Sequence, residues 1–271
     1  MAVHFMTERR VTTEDGVAIA YGLDASPRAA APRVLLIHSL ALDRTFWNPV
    51  AEALAGELAL LAVDCRGHGA SDRPAGPFTT ERMADDLAAV LDHAGWDRAV
   101  IVGCSMGGCV AMAFAARHPD RTAGLLAIDT TAWYGPDARK AWATRAAQAE
   151  AGGMVALLPF QHQRWLSPSF RASHPEIEAA ADAVFLRSDI ASYAASCAML
   201  GAVDLRDAID GIRVPTMVLV GSDDGATPPA MAGEIARRIE GARLEVLPGV
   251  CHLTPLERPD QVAAAIRQLA G

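Results

Sequence analysis

Lysine is almost missing from this sequence. Lys140 is the one lysine in 271 residues, and 24 Lys and Arg against 32 Asp and Glu leave a formal net charge of −8. A protein that grips a nucleic-acid backbone or an anionic membrane surface needs a basic stripe. Neither partner is expected. Cysteines are few and scattered: Cys65, Cys104, Cys109, Cys197 and Cys251 are odd in number and form no C-x-x-C pair. That argues against a disulfide framework or zinc knuckle and for a reducing compartment. No H-x-H, H-E-x-x-H or carboxylate cluster is present, so no metal is expected. Residues 1–16 lack the apolar core of a secretory leader, and a cytoplasmic location is expected. One uncharged run, 99–116, is long enough to suggest a membrane span. Gly103, Ser105, Gly107 and Gly108 break its middle, so it reads as strand, sharp turn and helix.

What is present is a rhythm. The apolar run at 33–38 reads as a buried strand, and 58–64, 99–103, 124–129, 216–221 and 243–247 read as further strands. Helical patterns at 47–55, 80–94 (with Thr80 as N-cap), 106–117, 231–239 and 259–269 separate most of them. Residues 17–23 alternate and pair with 9–13 as an antiparallel edge hairpin. Strands separated by helices imply a mostly parallel sheet in an α/β fold. Residues 133–205 break the rhythm, being helical and holding eight of the fifteen aromatics. The expected organisation is a core over 1–132 and 206–271, with a helical cap over 133–205 covering a pocket. Trp133, Tyr134, Trp142 and Trp165 are the aromatic candidates to line it.

The sharpest chemical signal is Gly103-Cys104-Ser105-Met106-Gly107, which fits G-x-S-x-G between a strand and a helix. Such a turn lifts a serine hydroxyl above the sheet, with a helix N-terminus behind it to favour an oxyanion. A serine needs a general base. Among eight histidines, His252, His38 and His68 lie at strand ends, and His252 follows the last strand, where open α/β sheets build their crevice. His4, His93, His118, His162 and His174 read as surface or capping residues. The base needs an acid to orient it; Asp224, Asp223 and Asp129 all end strands.

These segments resemble the α/β-hydrolase superfamily over nearly the whole chain. His38-Ser39-Leu40 resembles its oxyanion turn, and residues 64–71 (DCRGHGAS) its D-x-R-G-x-G-x-S turn. Residues 221–228 (GSDDGATP) resemble its acid loop, in which the aspartate three after the glycine is catalytic; that favours Asp224. Residues 249–253 followed by Glu257-Arg258-Pro259 resemble its histidine loop. The resemblance implies an α/β-hydrolase fold with Ser105, His252 and Asp224 as triad, Met106 and Leu40 amides as oxyanion donors, and no cofactor. The implied partner is a small-molecule ester or lactone. Within the superfamily, residues 38–43, 152–154, 164–170, 204–206, 224–229 and 244–249 most resemble the 3-oxoadipate enol-lactonases, which implies a place in aromatic-compound degradation. Trp133 stands where that family often has a basic residue; Arg164 and Arg139 are the candidates to replace it. General carboxylesterases, C–C bond hydrolases, cofactor-free haloperoxidases and triad-bearing ligand receptors share the same motifs.

Overall fold

Most of the apolar runs are hydrophobic on successive residues and not on alternate ones, as suits strands covered on both faces. The computed structural model describes residues 6–24 and 31–271, so His4 lies outside the described residues. Eight strands form one sheet: β1 (Thr7–Thr12), β2 (Ala18–Asp24), β3 (Arg33–Ile37), β4 (Ala59–Val63), β5 (Ala99–Cys104), β6 (Thr122–Ile128), β7 (Thr216–Gly221) and β8 (Arg243–Leu247). Their order is β1-β2-β4-β3-β5-β6-β7-β8. β2 is antiparallel to β1 and β4, in the expected edge hairpin, and the other neighbours are parallel.

Right-handed crossovers decide where the helices go. The chain steps from β3 to β4 in one direction and from β4 to β5 and beyond in the other. Helix Asn48–Ala53 therefore covers one face, and helices Thr80–Ala94 and Met106–Arg117 the other. Packing agrees: Asn48–Ala53 lies on helix Pro259–Ala270, and Thr80–Ala94 lies on Met106–Arg117. Helix Thr80–Ala94 buries Met83, Leu87, Val90 and Leu91, and ends on Gly95 at φ 70°. Its cap is Thr79 and not the expected Thr80. A capping residue must be extended, and Thr79 (φ −137°) is extended, its hydroxyl accepting from Arg82 N–H at 3.0 Å.

The segment between β6 and β7 is helical, with Ala138–Gly152 packed along Ile190–Ala202. It leaves and returns at one point. Trp133 and Asp204 form an isolated bridge, and Leu205 N–H donates to the Ala132 carbonyl at 2.8 Å. Among the described residues, no helix is long and apolar enough to cross a membrane; the uncharged run 99–116 is β5, a turn and a helix.

Candidate active site

β5 ends at Cys104 and the next helix starts at Met106, so Ser105 makes the turn alone. Its φ of 55° and ψ of −116° lie where residues with a Cβ rarely go. Neighbours hold it there. Ser105 N–H donates to Ile128 O (2.9 Å), and Ser105 O accepts from Thr130 Oγ1 (2.7 Å). The flanking glycines are required by space: a Cβ at Gly103 would run into the Gly107 backbone, and one at Gly107 into the carbonyls of Ile37 and His38.

Three loops, after β5, β7 and β8, bring Ser105, Asp224 and His252 together. His252 Nε2 lies 2.9 Å from Ser105 Oγ, and its Nδ1 lies 2.8 Å from Asp224 Oδ2. All three side chains are buried. Asp224 Oδ1 accepts from the N–H groups of Ala226 (2.7 Å) and Thr227 (2.9 Å), and Oδ2 from Thr227 Oγ1 (2.8 Å). Burial pushes its carboxyl up, but His252 and the Thr227 donors outweigh that and hold it below the ordinary value. An ionised acid at Nδ1 puts the imidazole proton there and leaves Nε2 to accept from the serine.

The rival residues sit elsewhere. Asp223 is exposed and bonds the Ser222 hydroxyl at 2.7 Å. Asp129 is wholly buried behind the site and accepts from Gly221 and Thr254. His38 and His68 are buried neighbours with ring centroids 5.0 Å apart. His38 Nε2 accepts from Cys65 N–H (3.1 Å) while Nδ1 donates to Ser39 O (2.7 Å). Burial, helped by His38, drives the pKa of His68 down to about 3. Burial lowers the pKa of His38 as well, so both rings favour the neutral form beside the Ser39-Leu40 turn.

A cavity of about 460 Å³ opens onto Ser105 and His252, with Leu40, Tyr134, Trp142, Arg164 and Trp165 in its wall. Main-chain N–H groups of Leu40 and Met106 are unpaired with any carbonyl among the described residues. Trp133 is absent from the wall, which corrects its expected place as a pocket residue. Its main chain is held in the bridge to Asp204, and the Arg206 guanidinium covers its ring at 3.9 Å. Arg139 is exposed and outside the cavity.

The residue that sequence reading missed is Arg145. It lines the cavity from helix Ala138–Gly152, and a one-turn-apart search for cations around Trp142 would have found it. Its guanidinium lies 5.0 Å from the Trp142 ring centroid and 5.1 Å from that of Phe160, and Arg164 approaches the same Phe160 ring at 4.5 Å. Arg145 Nε is buried with no hydrogen-bond partner. Among the described residues neither arginine enters a salt bridge. Burial and then the charge of Arg145 hold Arg164 below its ordinary value, a sign that two cations crowd one space. Among the described residues no three His, Cys, Asp or Glu side chains converge as a metal site.

The base loop is also tied to the helical segment above it. His252 N–H donates to Arg164 O (3.1 Å) and Leu253 N–H to Trp165 O (2.9 Å). Buried Glu257 completes the seam, accepting from the N–H groups of Cys251 and Ser167 (both 3.0 Å) and from Ser167 Oγ (2.6 Å).

Similarity to known proteins agrees with this geometry. The profile of the alpha/beta hydrolase fold matches residues 32–259. The chain is 28% identical over 254 residues to 3-oxoadipate enol-lactonase 2 of Acinetobacter baylyi, spanning 94% of this chain and 93% of that one. The crystal structure of the enol-lactonase from Burkholderia xenovorans superposes with a TM-score of 0.91 at 33% identity, covering 96% of this chain and 99% of that one. A malate-bound thermophilic esterase from Thermogutta terrifontis gives 0.89 at 32% identity, covering 98% and 100%. A profile match over most of the length, on a sheet and elbow of this form, places the chain in the alpha/beta hydrolase fold family.

Proposed function

We propose that the chain is a serine hydrolase that opens a small lactone carrying a free carboxylate. The observation that carries this reading is the pair of contacts at His252, 2.9 Å to the Ser105 hydroxyl and 2.8 Å to Asp224. His252 takes the Ser105 proton as Oγ attacks the lactone carbonyl. Amides of Leu40 and Met106 hold the tetrahedral oxyanion, each supplying on the order of 3 kcal/mol of barrier lowering. His252 then hands the proton to the ring oxygen, which leaves but stays tethered to the same acyl chain. Water activated by His252 releases the product and restores the serine.

The substrate class follows from the far end of the cavity. Two guanidiniums without a salt bridge, Arg145 and Arg164, line the same space; Arg164 also donates to Gly225 O, Arg145 Nε is buried without a partner, and planar forks of this kind suit a carboxylate. An enol-lactone of a dicarboxylic acid uses one acid in the ring and leaves the other free. The relatives support the choice: two are enol-lactonases, and the esterase structure holds malate, itself a dicarboxylate.

The test has two parts. A fluorophosphonate should label Ser105 stoichiometrically in the wild type and not at all in Ser105→Ala. The acid lactone should then be hydrolysed with kcat/KM about 10- to 100-fold above its neutral methyl ester, the worth of one charge-assisted contact. Equal rates would leave the second reading, a general carboxylesterase, which the 32% identical esterase favours.

A further inference from the structure

Ser105, Asp224 and His252 stand on three separate loops, and their mutual hydrogen bonds do not by themselves keep those loops in register. Behind them one buried side chain reaches two of the loops directly and the third through its neighbours. Asp129 follows the last residue of β6 at φ 46°, a left-handed conformation that residues with a Cβ rarely adopt. Oδ1 accepts from Gly221 N–H at 3.2 Å, three residues before Asp224. Oδ2 accepts from Thr254 N–H at 2.9 Å, two residues after His252, and Oδ1 lies 3.0 Å from the Thr254 hydroxyl. Asp129 N–H donates to Leu219 O at 2.9 Å. The residues either side of it hold the nucleophile: Ile128 O accepts from Ser105 N–H, and Thr130 Oγ1 donates to Ser105 O. The left-handed backbone is what turns the Asp129 carboxyl to Gly221 and Thr254 together.

We infer that Asp129 is a positioning residue, which clamps Gly221 and Thr254 and so keeps the His252 imidazole within reach of the Ser105 hydroxyl. The inference rests on the triad reading above. Its contacts with Gly221 and Thr254 make the role one of hydrogen-bond geometry. Burial, and then the charge of Asp224, hold its carboxyl well above the ordinary value and favour the neutral acid. A neutral carboxyl accepts Thr254 N–H on one oxygen and donates from the other to Thr254 Oγ1. An asparagine of the same shape does both, and gives up only the 3.2 Å contact with Gly221. An alanine gives up all three, and displacing the base by 1 Å costs up to about 100-fold in rate.

The experiment compares wild type with Asp129→Ala, Asp129→Asn and Thr254→Val. It reads the rate of Ser105 phosphonylation by a fluorophosphonate, kcat and KM for p-nitrophenyl acetate, and the melting temperature. Asp129→Ala should slow phosphonylation and kcat by about 10- to 100-fold with KM within about twofold. Asp129→Asn should restore both to within about threefold of wild type, and Thr254→Val should fall between the two. Wild-type rates in Asp129→Ala and Thr254→Val would overturn the inference. So would an Asp129→Asn as slow as the alanine variant, which would mark a role for the charge. If Asp129→Ala does not fold, Thr254→Val decides: a slowed reaction at a preserved melting temperature supports the clamp, and an unchanged one overturns it. Failure of the triad reading shows separately, as a wild type whose Ser105 takes no label.

Discussion

An imidazole that folding strips of its proton ties stability to pH. His68 is wholly buried with its pKa pushed from 6.5 to about 3. The unfolded chain binds that proton at the higher value and the folded chain only at the lower. Its contribution is therefore complete above about pH 6.5 and is lost as pH falls toward 3, at about 1.4 kcal/mol per pH unit. His68→Gln should flatten the fall in urea-unfolding free energy between pH 6.5 and 5 relative to wild type. Asp224→Asn removes the acid that sets the His252 tautomer, and turnover of p-nitrophenyl acetate should drop by about 10⁴-fold while phosphonylation slows in parallel. Residues such as Ser105 were legible in the sequence because the glycine requirement of the elbow is local and shows in the letters. Trp133 was misread because its bridge partner, Asp204, is 71 positions away, and Arg206, not the cavity, meets its ring. Arg145 was passed over although Trp142, three positions before it on the same helix, was a pocket candidate and helical spacing puts the two on one face.

Elements were easier to read than side chains. Strands that are apolar on successive residues, such as β7, leave little choice in a chain that alternates them with helices, and β7 matches its expected bounds of Thr216–Gly221; β8, with Arg243 and Glu245 and exposed over all but Leu247, also matches at Arg243–Leu247. Element ends were harder, since capping depends on one backbone angle. Thr79 and Thr80 are the same residue type side by side; the extended φ chooses Thr79, and Thr80 is buried inside the helix. Thr79→Ala should lower stability by about 1 kcal/mol in urea unfolding, through the lost bond to Arg82 N–H.

At the scale of the molecule, core and helical segment meet along the seam at Glu257. Its two oxygens take three donors from the two sides. Glu257→Ala strands those donors in a buried place, and the loss should be about 2–3 kcal/mol in chemical denaturation, with a lower kcat. No sequence pattern could announce this seam, because Ser167 and Cys251 are brought to Glu257 only by folding. Its consequence concerns traffic. Arg164 and Trp165 hold the backbone of His252 and Leu253, so a roof that lifted as one piece would carry the imidazole off the serine. The Ala138–Gly152 side of the cavity wall, which bears Trp142 and Arg145, is not tied to His252 or Leu253 by these bonds.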